Sequence, residues 1–183
     1  MIKSREMIGK PMITIQHGEM IGKVKDVLID PDRYEIAALV LPGKLLSRKT
    51  MVLPRHQVHV FGVDAILVKS NEAMPRDDTL QNVSSLIAVT KQMRGQAIVT
   101  EQGLRIGIVD DVWIDERGKV VSYALTKVAV EGPVAKTKRI PLSFTRTLGP
   151  DVIIVDSSAL TAGESEDEEG LEPIPDSRTS SGP

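Results

Sequence analysis

The sequence predicts an all-β protein made of two tandem copies of one small barrel, followed by an acidic tail. Three observations support this fold class. The 183-residue chain has 41% hydrophobic but only 3% aromatic residues, so the core is aliphatic and rich in the β-branched residues that favour strands. A ten-residue motif occurs twice. Short apolar runs alternate with turn residues, at a spacing typical of small antiparallel barrels.

The repeated motif reads Ile-Gly-x-Val-x-Asp-Val-x-Ile-Asp and occupies residues 21–30 and 106–115. The two copies are identical at seven of ten positions, and landmarks on either side recur in the same order at offsets of 85 to 87 residues. A repeat of this length is one structural unit. We therefore predict a first barrel over 1–70, a linker over 71–85, a second barrel over 86–157 and a disordered acidic tail over 158–183.

The apolar runs predict the strands of each copy. In the first copy they cover 12–16, 21–29, 36–41, 51–53 and 65–68. In the second copy they cover 97–100, 106–114, 120–125, 139–142 and 152–155, and 86–89 is expected to be the first strand of that barrel. A sandwich fits the same pattern, but closure into a barrel hides more strand edges. The register between 36–41 and 120–125 stays open by one residue, which decides which face is buried.

Matched glycines and aspartates define the motif, and we interpret them as structural. They are Gly9, Gly22, Asp26, Asp30, Gly95, Gly107, Asp111 and Asp115. The glycines fall at turns and strand starts, where backbone geometry explains them. Asp26 and Asp111 allow two interpretations: a metal or acid–base site, or a buried carboxylate that accepts backbone N–H bonds. The second is favoured, because no other acid, histidine or lysine recurs beside both.

The sequence gives no sign of an enzyme. There is no cysteine, and no nucleophile, phosphate-loop or dinucleotide motif. His56 and His59 are spaced like a ligand pair, but without an adjacent acid or cysteine they make an incomplete metal shell. We therefore predict no catalytic residue, no metal and no cofactor, and we expect the three histidines to lie on a surface or an interface.

Basic loops and one tryptophan are the candidates for partner binding. The basic residues are Lys44, Arg48 and Lys49 in the first copy and Lys136, Lys138 and Arg139 in the second. They are either solvated hairpin ends that deter edge pairing or contacts for an anionic partner. Trp113 stands where the first copy has Leu28, and it is either a core residue or an exposed interface anchor. Few aromatic residues are present for base stacking, so sequence-specific RNA recognition is not expected.

Charge separates the tail from the body. Residues 160–183 contain seven acids and one base, a net charge of −6, which leaves +4 for the rest of the chain. Acidic tails of this composition are typical of disorder. No apolar stretch reaches the roughly 20 residues of a membrane helix, and the N-terminus lacks the apolar centre of a signal peptide. These features predict a soluble cytoplasmic protein without an integral membrane segment.

The duplicated motif resembles the PRC-barrel family. The resemblance rests on Gly9, Gly18 and the motif at 21–30, repeated as Gly95, Gly103 and the motif at 106–115. It covers roughly residues 5–70 and 90–157. It implies a small non-catalytic β-barrel. Relatives include the cytoplasmic part of the H subunit of photosynthetic reaction centres and the C-terminal domain of a ribosome maturation factor.

Together these observations predict a non-catalytic protein–protein interaction module, acting as an assembly or regulatory adaptor. Its partner is expected to be a protein, for example one in a membrane or ribosomal complex. Two alternatives stay open. One is a ribosome- or RNA-associated maturation factor, favoured by the basic body, and the other is a regulator of photosynthetic electron transfer, which rests on the family resemblance alone.

Overall fold

The structure, a computed structural model, describes residues 1–42, 51–69 and 85–161. Strands dominate these residues and the helices are few and short, so the predicted all-β class is confirmed. We refer to residues 1–69 as repeat 1 and to residues 85–161 as repeat 2. The predicted sites Lys44, Arg48 and Lys49 lie outside the described residues, as do most of the predicted linker and tail.

The strands of repeat 1 contribute mainly to two four-stranded sheets. Its elements are β1 (Ile2–Lys3), α1 (Ser4–Met7), β2 (Pro11–Thr14), β3 (Met20–Lys23), β4 (Asp26–Asp30), β5 (Glu35–Leu41), β6 (Met51–Pro54), β7 (Val58–Phe61) and β8 (Ile66–Val68). One sheet has the order β3-β2-β8-β7. The other contains β6-β5-β4. The pair β2–β8 is parallel and brings the two ends of the repeat together.

Repeat 2 follows the same order of elements, and all of its strands except β9 are joined in one sheet. Its elements are β9 (Ile87–Ala88), a π-helix (Val89–Met93), β10 (Ala97–Thr100), β11 (Arg105–Ile114), β12 (Val120–Thr126), α2 (Pro133–Thr137), β13 (Arg139–Pro141), β14 (Thr145–Leu148) and β15 (Val152–Val155). The sheet order is β13-β12-β11-β10-β15-β14. The π-helix is one residue longer than α1, which it matches in position, and such an extra residue is a usual origin of π geometry.

The long motif strand differs between the repeats. The sequence predicts one strand over 21–29, but the structure divides this segment into β3 and β4, which lie in different sheets. In repeat 2 the equivalent β11 is continuous, and its pairing register with β12 shifts between Val109 and Asp111. A bulge of this kind bends a strand without ending it, so one motif fits both arrangements.

Two edge strands, β7 and β14, and the helices were not predicted. Both strands carry polar residues at their exposed positions, such as His59 in β7 and Arg146 in β14, and so lack a clear apolar run. The open register is settled by pairing: Leu28 lies opposite Ala38, and its counterpart Trp113 lies opposite Ser122. The offset between β5 and β12 is therefore 84 residues.

The folded part of the chain extends beyond the predicted start of the tail at residue 158. Ser157–Leu160 form a 3₁₀ turn, in which the Asp156 side chain accepts a hydrogen bond from the Ser158 N–H at 2.8 Å. Ala159 is fully buried. The polar composition around Ala159 predicts a tail from residue 158, but the burial of Ala159 places this turn in the folded part. The predicted boundary is therefore corrected to a point after Thr161.

One hydrophobic core runs through both repeats. Buried aliphatic residues of repeat 1, such as Leu39 and Leu53, belong to the same cluster as Ile98 and Ile106 of repeat 2. Its largest fully buried side chain is Tyr123, whose hydroxyl lies 2.9 Å from the Thr145 hydroxyl. Burial raises the pKa of Tyr123 well above its ordinary value. The repeats are therefore two halves of one packed structure.

Candidate functional site

The first strand of each repeat lies in the sheet of the other repeat. β1 pairs antiparallel with β11 and places Lys3 opposite Trp113. β9 pairs antiparallel with β4 and places Ala88 opposite Leu28. The sequence predicts a strand at 86–89 in the second barrel; the structure has a strand at Ile87–Ala88 and pairs it with β4 of repeat 1. Each barrel is completed by the N-terminal strand of its neighbour.

A second reciprocal contact joins the starts of β5 and β12. The Ile36 N–H donates to the Gly118 carbonyl at 2.8 Å, and the Val120 N–H donates to the Tyr34 carbonyl at the same distance. Ile36 corresponds to Val120 and Tyr34 to Gly118 at the offset of 84 residues set by pairing. Such exchange of equivalent partners is the signature of twofold symmetry, so the chain is arranged like a dimer within one polypeptide.

Asp111 accepts four hydrogen bonds, three of which come from α1 and join it to repeat 2. Its carboxylate is fully buried and accepts the Arg5 N–H at 3.2 Å, the Arg5 Nε–H at 2.7 Å and the Val112 N–H at 2.8 Å. The Ser4 hydroxyl donates to the same carboxylate oxygen as the Val112 N–H. The Arg5 guanidinium also pairs with Asp110. These bonds fix the N-terminal segment of the chain against β11.

The electrostatics of this junction favour the ionised acid. Burial acts against the charge of Asp111, but hydrogen bonds from Ser4, Arg5 and Val112 outweigh it and hold its pKa below the ordinary value. The hydrogen bond to Asp111 is the main reason that the pKa of Arg5 is raised. The pair therefore stays charged across the physiological range and acts as a permanent structural contact.

Asp26 makes the equivalent junction in repeat 1 with fewer bonds. It is almost fully buried and accepts the Val27 N–H at 2.8 Å and the Thr90 N–H at 3.1 Å. No side-chain hydroxyl or cation is bonded to it among the residues that the structure describes. Both matched aspartates thus accept N–H bonds from the first segment of the other repeat, as in the structural interpretation of these acids.

The next motif aspartates form tight turns. The Asp30 carboxylate accepts the Asp32 N–H at 2.9 Å, and the Asp115 carboxylate accepts the Arg117 N–H at 2.8 Å. Side chains that bond to backbone two residues ahead are typical of Asx turns. These two acids shape the chain between β4 and β5 and between β11 and β12.

Gly22 and Gly107 are needed for different reasons. Gly22 has φ +156°, and a Cβ there would lie 2.9 Å from Cδ2 of Leu41. Gly107 has no unusual φ, but a Cβ there would lie 3.2 Å from the Thr126 carbonyl oxygen. The other motif glycines each lie two residues after the first helix of their repeat: Gly9 and Gly95.

Two of the predicted partner-binding residues, Trp113 and Arg139, meet on the outward face of the repeat 2 sheet. The Arg139 guanidinium carbon lies 4.9 Å from the centre of the Trp113 ring, and the Lys3 Nζ lies at the same distance. Arg139 also donates to the Ser122 hydroxyl, at 3.1 Å in the shorter of two contacts. We name this group of four, Lys3, Trp113, Ser122 and Arg139, the Trp113 face.

The cations of the Trp113 face carry no compensating acid. Among the described residues, neither Lys3 nor Arg139 forms an ion pair. The nearest acid in sequence, Glu6, uses its carboxylate to accept the Lys3 backbone N–H at 3.0 Å. Two more predicted basic residues, Lys136 and Lys138, are exposed just before Arg139. The face is therefore positively charged.

Trp113 is half-buried, which places it between the core and surface alternatives. Its ring lies on the outside of the sheet, but its indole N–H is enclosed and has no acceptor within the described part of the chain. The cations that flank the ring cover much of it with their stems, as long basic side chains commonly do. An aromatic ring held in this way can meet a partner while staying partly covered.

Sequence reasoning missed Lys3, Ser4, Arg5 and Ser122. The reason is that β1 and α1 contact the opposite repeat, so their partners do not recur beside the motif. Ser4 and Arg5 occupy the positions in repeat 1 that Val89 and Thr90 occupy in repeat 2, but the residue types differ, so comparison of the two copies does not reveal them. The matched aspartates are the signal that could have found them, because a buried carboxylate needs hydrogen-bond donors, and those donors must come from elsewhere in the chain.

A cavity of about 360 Å³ lies between the repeats, near β1. Its lining is mainly apolar and includes Ile2, Ile36, Phe61 and Ile114. The guanidinium carbon of Arg55 lies 4.7 Å from the centre of the Phe61 ring. His59 lies at its edge. Within the described ranges, no three His, Cys, Asp or Glu side chains converge as a metal site would require.

The chain matches the PRC-barrel domain family over residues 1–74 and again over 90–161. These two segments cover most of the sequence, so the protein belongs to that family, with two domains in tandem. PRC-barrel domains occur in interaction and assembly proteins. No curated protein has a significantly similar sequence.

Where the chain is described, it forms no helix that is both long enough and apolar enough to cross a membrane.

Proposed function

We propose that this protein is a non-catalytic adaptor that binds an acidic segment of a partner protein on the Trp113 face. The observation that supports the proposal is the position of Trp113 between two cations, Lys3 and Arg139, that form no ion pair with any described residue. Tryptophan and arginine are enriched among the residues that dominate binding energy in protein interfaces. Unpaired positive charge favours a partner of opposite sign and speeds its association.

The use of the other polar groups also favours an adaptor. One cluster of charges, Arg5 with Asp110 and Asp111, is engaged in holding the two repeats together. Asp30 and Asp115 are engaged in turns. The proposed setting is the cytoplasm, in agreement with a chain that has no cysteine.

The comparison of the repeats indicates which half binds the partner. On repeat 1 the same positions hold Leu28, Ala38 and Val52, which belong to a small apolar cluster in which Leu28 and Ala38 are buried. That face is closed by its own packing. The Trp113 face combines a partly exposed tryptophan with positive charge, so we assign binding to repeat 2.

The test uses a fluorescently labelled acidic decapeptide, rich in glutamate with two leucines, and measures its binding to the full chain by anisotropy. Trp113→Leu is expected to weaken binding by about tenfold or more, the range of an interface hot spot. Arg139→Gln and Lys3→Gln should each weaken it by a smaller factor. Lys25→Gln removes one exposed charge from repeat 1 and serves as the matched control.

The proposal also predicts that binding depends on the negative charge of the peptide. A decapeptide with glutamine in place of glutamate should bind much more weakly, and raised salt should reduce the affinity of the acidic peptide. Equal loss of affinity in Lys25→Gln and Arg139→Gln would show that net charge alone attracts the peptide. The Trp113 face would then not be the site.

A further inference from the structure

We infer that the acidic segment 162–183 of this chain binds its own Trp113 face and competes there with the partner. The inference rests on the proposed function of that face, and it adds a regulatory occupant from the same polypeptide. Two observations support it: the place where the described chain ends, and the opposite charges of the segment and the face.

The described chain ends beside the basic part of repeat 2. The 3₁₀ turn Ser157–Leu160 packs against α2, with Ala159 and Val134 both buried in the common core. α2 leads directly into β13, which begins with Arg139. Segment 162–183 therefore starts next to the stretch of chain that carries Lys136, Lys138 and Arg139.

The acids of the segment lie close to that starting point. Glu164 is the third residue after Thr161, and the run from Glu166 to Glu169 follows at once. Three extended residues span roughly 10 Å and all 22 span roughly 75 Å, so the acids can reach the basic stretch. Leu171 and Ile174 come next in the sequence and offer apolar side chains to the Trp113 ring.

The charges are complementary and the contact is intramolecular. Segment 162–183 has seven acids and one base, whereas Lys3 and Arg139 have no acid partner among the described residues. Attraction of this kind acts over about 8–10 Å in physiological salt. A short tether gives an effective concentration on the order of millimolar, so even a weak contact occupies the face for a substantial fraction of the time.

Trp113 itself can report on the segment, because it is the only tryptophan of the chain. The test measures quenching of its fluorescence by acrylamide, a neutral quencher, in the full-length protein. One variant neutralises four acids of the segment: Glu166→Gln, Asp167→Asn, Glu168→Gln and Glu169→Gln. The matched control neutralises four exposed acids elsewhere: Asp32→Asn, Asp64→Asn, Glu116→Gln and Asp151→Asn.

At low salt the segment variant is expected to show stronger quenching of Trp113 than the wild type, and the control variant is expected to match the wild type. The difference should disappear in about 0.5 M salt, where charges are screened within a few ångströms. Equal quenching in the wild type and the segment variant at low salt would overturn the inference. An equal rise in both variants would also overturn it, since net charge would then be the cause.

Binding of the acidic decapeptide separates this inference from the proposed function. If both are right, the peptide binds the segment variant severalfold more tightly than the wild type, because an occupied face reduces apparent affinity. If the peptide binds both equally, only the inference fails. If the peptide binds neither while quenching still differs, the proposed function fails, and the face is a docking site for segment 162–183 alone.

Discussion

The outward faces of the two repeats have the same backbone and different chemistry. In repeat 1, Leu28 and its neighbours pack into a small apolar cluster. In repeat 2 the matching positions hold Trp113, Ser122 and Arg139, and β1 adds Lys3 where β9 adds Ala88. The contrast teaches that two copies with one fold can divide their tasks. The repeat 1 face is packed with apolar side chains, and the repeat 2 face is the one on which we propose that a partner binds.

The junctions at Asp111 and Asp26 also differ between the repeats, and the one in repeat 2 has more hydrogen-bond donors. Asp111 has a hydroxyl, a guanidinium and two backbone N–H groups as donors. Asp26 has two backbone N–H groups. The junction of repeat 2 is thus stronger than that of repeat 1, and it fixes the strand that carries Lys3 onto the Trp113 face. Structural support and the proposed binding site lie on the same side of the molecule.

The largest expected effect is the loss of the Asp111 junction. Asp111→Ala leaves the buried Ser4 hydroxyl and the Arg5 guanidinium without their acceptor, so the free energy of unfolding should fall by about 3 kcal/mol or more. Asp26→Ala leaves only two backbone N–H groups without their acceptor, so the free energy of unfolding should fall by about 1–2 kcal/mol. Urea unfolding followed by circular dichroism measures both. Equal losses would mean that the side-chain donors to Asp111 add nothing to stability.

The next effect concerns the two glycines of the motif. Gly22→Val should lower the free energy of unfolding by more than about 1 kcal/mol, because φ +156° disfavours a side chain and Leu41 lies in its way. Gly107→Val should cost a similar amount, because the Thr126 carbonyl oxygen lies 3.2 Å from the new Cβ and belongs to the backbone of the paired strand. Thermal unfolding unchanged in either variant would show that its glycine is replaceable.

The repeat made most of this fold predictable. Seven identities in ten positions identify two copies, and apolar runs locate the central strands. The sequence does not reveal that β1 and β9 each pair with the opposite repeat. Strand pairing depends on which sheet edge is open in the folded structure, and a strand of two residues carries no apolar pattern. Trp113 and Arg139 were found as separate candidates. Their contact depends on the pairing of β12 with β13, which places Arg139 opposite Ala124 and its guanidinium against the Ser122 hydroxyl, and residue types do not reveal this pairing.

A third effect is the pH dependence of the Asp111 junction. The pKa of Asp111 is below its ordinary value in the folded protein, so this carboxylate contributes stability above the unfolded pKa of about 4. The contribution is lost as pH falls through the lower folded pKa. In urea unfolding, the advantage of the wild type over Asp111→Asn should therefore be constant from pH 7 to about pH 5 and should shrink below about pH 4.

A control variant separates the junction from general acid effects. Asp32→Asn removes one exposed carboxylate from a turn and should follow the wild type over the same pH range. If the difference between wild type and Asp111→Asn did not change with pH, the hydrogen bonds to Asp111 would not depend on its charge.

The smallest expected effect on stability is that of Trp113→Leu, which gives repeat 2 the residue that repeat 1 has at Leu28. The variant loses two cation–π contacts, each worth about 0.5–1 kcal/mol when partly exposed, and some apolar area. It also removes an enclosed indole N–H for which the described residues offer no acceptor, and relief of such a group regains about 1 kcal/mol or more. These terms oppose each other, so the free energy of unfolding should change by less than about 1 kcal/mol, as measured by urea unfolding. A loss above about 3 kcal/mol, typical of a tryptophan removed from a core, would show that Trp113 is structural like Leu28, and the division of tasks between the two faces would then be wrong.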